Sequence, residues 1–409
     1  MRSTPASAPA LSLWSLSGSA LPPPAGGQRL LCSRPRAATP TAGGWGWRAL
    51  AAVGTVVSAL LAGCSSTPSR TPAAPGVSGS VIEQGASRWV PVPWTAVPGF
   101  ADDRVGEAWH AWLRSCAKPG PVFARVCREA ASLRTASDAD KRRWMMERLQ
   151  PYRVESHGGN AQGLLTSYYE PVLEGSRRPT SARRVPIYGV PLGGAPRSPW
   201  FTRQQIETDP QAQSTLRGRE ILYLADPIDA MILHVQGSGR LRVTEPDGRQ
   251  RDVRLAYAGT NNRPFRSPSA WVSAHGGRGG SWNAIRTWAV QHPELVQEMT
   301  WSNPRYVFFR EEPISALDAD AGPRGAQGVP LTPGRSIAVD RSSIPYGTPV
   351  WLSSSGPTAS LHRLVLAQDT GNAIRGAVRA DYFAGWSPEA ADLAHRLRQP
   401  LQLWVLWPR

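Results

Sequence analysis

Two aspartates late in the chain have surroundings suited to chemistry on sugars. In Ala367-Gln368-Asp369-Thr370-Gly371 an apolar run delivers Asp369 into a glycine turn, and in Arg379-Ala380-Asp381-Tyr382-Phe383 a second run places Asp381 between an arginine and two aromatic rings. A carboxyl group beside bulky rings and partly withdrawn from water keeps its proton to higher pH, as a general acid requires. The residues by themselves make Asp369 and Asp381 a carboxylate pair of the glycosidic-bond-cleaving kind and do not rank the two. Three further stretches carry unusual local composition. Tyr168-Tyr169-Glu170-Pro171 reads either as a groove wall, with aromatic faces over sugar rings and Glu170 on their polar rims, or as a strand end packed on a core. Gln236-Gly237-Ser238-Gly239 offers an amide, a hydroxyl and glycines past which a ligand can approach the backbone. Asp340, ending the apolar run Ser336 to Val339, reads as a turn cap or as a further polar contact.

Other chemistries lack their equipment. The seven histidines form no His-x-x-x-His pair and no cluster with cysteine, so no metal site is expected. Gln236-Gly237-Ser238-Gly239 lacks the third glycine of a dinucleotide fingerprint, and there is neither a phosphate-cradling Gly-Lys-Ser/Thr loop nor a Gly-x-Ser-x-Gly elbow. No cofactor is expected. The net charge of +16 is carried almost wholly by arginine, and no basic block with interleaved aromatics suggests nucleic acid as a partner.

The elements that must position these residues follow from periodicity. A chain of 409 residues with 41% apolar content suggests two or three domains. Residues 1–46, rich in Pro, Ala, Gly and Ser, read as a disordered or mistakenly included extension. Residues 47–63 read as a signal peptide whose apolar core is shorter than the roughly 20 residues of a membrane span. That core closes on Leu61-Ala62-Gly63-Cys64, which resembles a bacterial lipoprotein signal and implies lipidation of Cys64, with Ser65 pointing to the outer membrane. Residues 64–85 then form a flexible tether.

Helical spacing follows, with Val105, Ala108, Trp109, Trp112 and Cys116 on one face and Phe123, Val126, Cys127 and Ala130 on another. Cys116 and Cys127 are either disulfide partners or two buried thiols. Ser137 caps a third helix running to about Leu149. Beyond Tyr152 short alternating runs predict strands, among them 163–169, 220–224, 231–236, 241–243, 253–257, 306–309, 336–339, 350–353, 361–367 and 403–407. Helical spacing returns only at 282–288, 294–301 and 388–397. The pattern predicts barrel-like β domains with added helices, an α+β chain that is mainly β.

In this order, Tyr168 to Pro171, Gln236 to Gly239, Tyr257-Ala258-Gly259, Asn303 to Phe309, Gly322 through Asp340 and Asp369 to Phe383 resemble the membrane-bound lytic murein transglycosylase A family with its C-terminal 3D domain. The resemblance implies a double-psi β-barrel from residues 86–175 and 305–409, interrupted by a smaller β domain at 176–304 that forms the other wall of a glycan groove. It implies peptidoglycan strands as substrate and Asp381 as the acid, with Asp369 supporting it. Tyr168, Tyr169, Glu170, Gln236, Gly237, Ser238, Gly239 and Asp340 would line the groove of an enzyme held in the outer membrane, facing the periplasm. Asn262 and Asn372 stand where that pattern has glycines, and Phe265 where it has tyrosine.

Overall fold

A computed structural model describes residues 79–314 and 320–409; Cys64 and the signal segment lie outside the described residues. The expected tether ends earlier than residue 85, because β1 (Ile82–Glu83) already pairs with β2 (Arg88–Pro91). Three helices come next: α1 (Gly106–Cys116), α2 (Ala124–Ser132) and α3 (Asp138–Arg148). Ser137 caps α3 as expected, its side chain accepting from the Asp140 amide. Cys116 and Cys127 are disulfide-bonded, closing the turn between α1 and α2. Their apolar stripes meet the outer face of the main sheet, where Trp109, Trp112 and Met145 share a core with Trp351, Leu364 and Leu406. Fully burying side chains of this size contributes roughly 1.5–3 kcal/mol each.

The main sheet continues with β3 (Leu149–Glu155) and β4 (Gly163–Tyr168). The chain then leaves it for a second sheet. This one is built from β5 (Val172–Ser176), β6 (Val185–Tyr188), β7 (Glu220–Leu224), β8 (Ser238–Thr244), β9 (Gln250–Thr260) and β10 (Val307–Pro313), in the order β10-β9-β8-β5-β7-β6. Of its strands, β10 lies outside the expected 176–304 and β5 overlaps it only at Ser176. The hairpin at Glu245 to Gly248 forms as its sequence predicts, with Gly248 at φ 85°.

Helices accompany the second sheet: α4 (Arg203–Thr208), α5 (Pro210–Leu216), α6 (Pro227–Gln236), α7 (Pro268–Ala274), α8 (Trp282–Gln291) and α9 (Val296–Trp301). The expected strand at 231–236 is instead the second half of α6. Its residues 230 to 234 are all buried, so the apolar run shows no period to separate helix from strand. The deciding signals lie at its ends. The Asp226 side chain accepts from the Ile228 amide, Pro227 occupies the first turn, and Gly237 takes the left-handed cap at φ 78°.

The chain returns to the main sheet with β11 (Ser336–Val339), β12 (Pro349–Ser355), β13 (Ser360–Asp369) and β14 (Arg379–Phe383), then α10 (Pro388–Arg396) and β15 (Arg398–Pro408). Six of its strands form a ring, β15-β12-β13-β11-β14-β4, because the long β15 pairs with β12 along one stretch and with β4 along another. Two pairs in the ring, β11 with β13 and β14 with β4, are parallel. Ile337, Val339, Val365, Ala367, Ala380, Tyr382 and Val405 fill the interior. The mainly β, α+β fold expected from the sequence is present, with a barrel-shaped sheet at its centre.

Candidate active site

The barrel register brings the two aspartates together. Ala338 of β11 pairs with Asp369 of β13 on one side and Asp381 of β14 on the other, and Asp381 in turn pairs with Thr166 of β4. Residues opposite one another in a sheet share a face, so this row projects outward from the barrel while Ile337, Val339, Ala380 and Tyr382 point in. Two strand spacings separate the backbones of Asp369 and Asp381, on the order of 10 Å.

Asp369 reaches that face through a register shift. Ile337 pairs with Ala367 but Ala338 with Asp369, leaving Gln368 as the extra residue of a bulge. Without the bulge, alternation would aim Asp369 at the core. Gln368 is fully buried and tied on several sides: its Nε2 donates to the Ala111 carbonyl (2.8 Å) and to Ser115 Oγ (2.7 Å), and its Oε1 accepts from Ser336 (2.5 Å). Helix α1 therefore pins the bulge that turns Asp369 outward.

Asp369 accepts from the Tyr168 hydroxyl (2.8 Å) and the Ala326 amide (2.9 Å). Burial raises its pKa above the ordinary carboxylate value against these bonds. Asp381 is raised too, chiefly by burial and in smaller part by the charge of Asp369, while a hydrogen bond from Thr166 and the nearby Arg379 guanidinium pull the other way. Arg379 also donates to the Thr166 hydroxyl (2.8 Å). Burial and the carboxylate it bonds push the Tyr168 phenol well above its usual pKa, keeping it a neutral donor, and its ring lies against Phe383 at 5.2 Å. The site thus brings together two carboxyls whose pKa values burial raises, Asp381 and Asp369, the latter with two fixed donors.

The other expected site residues separate into different roles. Tyr168 faces the aspartates, but its neighbour Tyr169 takes the opposite face and packs, 8% exposed, among Ile232, Ile285 and Trp288. Glu170 is not available to a ligand. It is wholly buried, with Arg254 donating to one oxygen (2.6 Å) and Arg240 to the other (2.8 Å), which fastens β4 to the second sheet. Gln236 accepts from the Tyr169 amide (3.2 Å). Gly237 ends α6, and Gly239 is required by packing, since a Cβ there would lie 2.6 Å from the Leu233 side chain. Ser238 is buried at the start of β8. Asp340 is a turn cap: it accepts from the Ser342 amide (3.0 Å) and hydroxyl (2.6 Å) and the Gly376 amide (2.9 Å).

Sequence reasoning missed Thr166; it placed Arg379 beside Asp381 and quoted Arg305 within a motif without giving the latter a role. Period-two alternation carried the signal for the first, because Thr166 and Tyr168 share a strand face. With its oxygen turned toward Arg305, the Asn372 amide accepts from both guanidinium nitrogens (2.7 and 3.0 Å), joining the loop after Asp369 to the segment entering β10. Asn262 takes φ 53°, the left-handed region where glycine is at ease and asparagine is tolerated.

A barrel bearing an outward row of two carboxyls, interrupted by a second sheet, defines a distinct class of domain pair. Residues 164–310 match the MltA specific insert domain and residues 335–407 the 3D domain. The membrane-bound lytic murein transglycosylase A of Vibrio cholerae is 32% identical over 262 residues, covering 61% of this chain and 67% of the relative. Among solved structures, the lytic transglycosylase LtgG of Burkholderia pseudomallei is 40% identical with a TM-score of 0.56, covering 83% of this chain and all of that one. MltA from Neisseria gonorrhoeae is 30% identical with a TM-score of 0.68, covering 83% and 96%. The chain belongs to the membrane-bound lytic murein transglycosylase A family.

Proposed function

We propose that this protein cleaves the β-1,4 bond between N-acetylmuramic acid and N-acetylglucosamine in peptidoglycan and leaves a 1,6-anhydro-muramic end. The observation that carries the reading is the Asp381 carboxyl. It is partly buried, its pKa is raised, and it stands on the outer barrel face in one row with Asp369. Asp381 protonates the glycosidic oxygen as the C1–O bond breaks. The resulting carboxylate takes the proton of the C6 hydroxyl of the same muramic ring, whose oxygen closes on C1. One proton is given and one recovered, so no water is consumed and Asp381 ends protonated. Asp369, held by Tyr168 and the Ala326 amide, supplies negative charge beside the cationic sugar centre. The relatives' names as murein transglycosylases support the substrate class.

The relatives' names also say membrane-bound, and no helix among the described residues is long and apolar enough to cross a membrane. Lipidation of Cys64 and anchoring in the outer membrane account for both. We assign the barrel domain to the strands up to β4 and from β11 onward, with the second sheet, β5 to β10, as its inserted partner.

The test is mass spectrometry of glycan fragments released from purified sacculi. Anhydro-muramic ends are expected from the native chain and none from Asp381→Asn, which keeps the native thermal midpoint. Free reducing ends would show a hydrolase, and full activity in the variant would remove Asp381 from the mechanism.

A further inference from the structure

On the side of β4 away from the aspartates lies a cavity of about 880 Å³ between α10, α6, α8 and the start of β5. Tyr169 lines it, while Tyr168, the preceding residue, turns its hydroxyl to Asp369. Because successive residues of an extended chain project to opposite faces, the cavity is separate from the carboxylate row. Its volume falls within the roughly 300–1,000 Å³ usual for small-ligand sites.

Two properties of the lining point to one ligand chemistry. Trp282 and Trp386 are both only partly buried at its wall, and Trp386 has the Arg240 guanidinium stacked 3.6 Å from its ring centroid, which fixes the indole plane. Every charged side chain of the lining already has its counter-charge: Arg286 holds Asp229 and also Asp226, Arg183 holds Glu174 at 2.8 Å, and Arg396 holds Asp392. The lining is therefore electrically closed and gives a phosphate, a carboxylate or an ammonium no unpaired partner. Polar capacity remains in neutral groups, since Ser387 lines the wall and Asn283 stands at the rim. Indole faces for the C–H side of a ring, neutral donors and acceptors for its hydroxyls and no net charge suit an uncharged saccharide.

We propose that this cavity is a second saccharide site, which holds a stretch of β-1,4-linked N-acetylhexosamine chain away from the place of cleavage. The proposal rests on the peptidoglycan reading above for its ligand, but its binding test does not depend on turnover. The full-length chain carrying Asp381→Asn is titrated calorimetrically with the N-acetylglucosamine tetramer. Two binding events are expected, and adding Trp282→Ala or Trp386→Ala weakens one of them at least tenfold while the other is kept. Trp282→Phe and Trp386→Phe, which keep the apolar bulk, restore most of the loss and guard against a folding defect. In the otherwise native chain the same alanine variants lose retention on sacculi but turn over a soluble glycan oligomer at the native rate. A single binding event unaffected by either tryptophan overturns the proposal, as does soluble turnover falling in step with binding, which would make the cavity part of the cleavage groove. If sacculi give no anhydro ends but the tryptophan-dependent event persists, the catalytic reading fails and the second site stands.

Discussion

Removing the Thr166 hydroxyl should move the pH dependence of cleavage upward. Thr166 donates to the Asp381 carboxylate and receives a bond from Arg379 in turn, so it relays positive charge onto the anionic form of the acid. Hydrogen bonds to charged groups are worth about 1.5–3 kcal/mol. At about 1.4 kcal/mol per pKa unit, and with Asp381 only partly screened from water, Thr166→Val should raise its pKa by about one unit. The reaction needs Asp381 protonated at the start, so activity falls as pH rises through that pKa. A higher pKa therefore carries the alkaline limb to higher pH. Profiles of kcat/KM with a soluble glycan oligomer report the free enzyme and are the assay. Asp369→Asn should move the same limb the other way, because it removes the negative charge that helps raise Asp381. An unmoved or lowered limb in Thr166→Val, or a raised one in Asp369→Asn, would refute the assignment of that limb to Asp381.

Two further outcomes concern the scaffold. Glu170→Gln leaves Arg240 and Arg254 facing a buried neutral group, and should destabilise the chain by roughly 3–5 kcal/mol in denaturant unfolding. Asp340→Ala removes a turn cap worth about 1–2 kcal/mol. Burial alone would raise the Asp340 pKa, but its bonds from Ser342 and Gly376 hold it below the ordinary value. The contribution is therefore complete above the unfolded carboxylate pKa and disappears as pH falls through the lower folded one. Unfolding curves of the native and variant chains should differ at neutral pH and converge in strong acid.

Much of the site was legible because its signals are local. Asp369 and Asp381 each end or interrupt an apolar strand in a way their neighbours announce, and Ser137 and the Glu245 to Gly248 turn act within a few residues of themselves. What was not legible depends on partners distant in the chain. Glu170 looked like a groove residue until Arg240 and Arg254 enclosed it, and the bulge at Gln368 is held by Ala111, Ser115 and Ser336, which no reading of 361–369 contains. Residues 231–236 failed for a different reason: with 230 to 234 all buried, the run has no face to betray its period, and Asp226-Pro227 before it and Gly237 after it were the better evidence.

The bond between Thr166 and Asp381 spans 215 residues of sequence, with the whole second sheet lying between. Closing so long a loop carries an entropic penalty that shrinks once the intervening segment has collapsed into its own compact unit. The acid should accordingly acquire its surroundings late in folding, after β5 to β10 have assembled. A chain caught partway would carry both aspartates on separate, unregistered strands and be harmless to the wall, so competence to cut arrives only with the finished barrel.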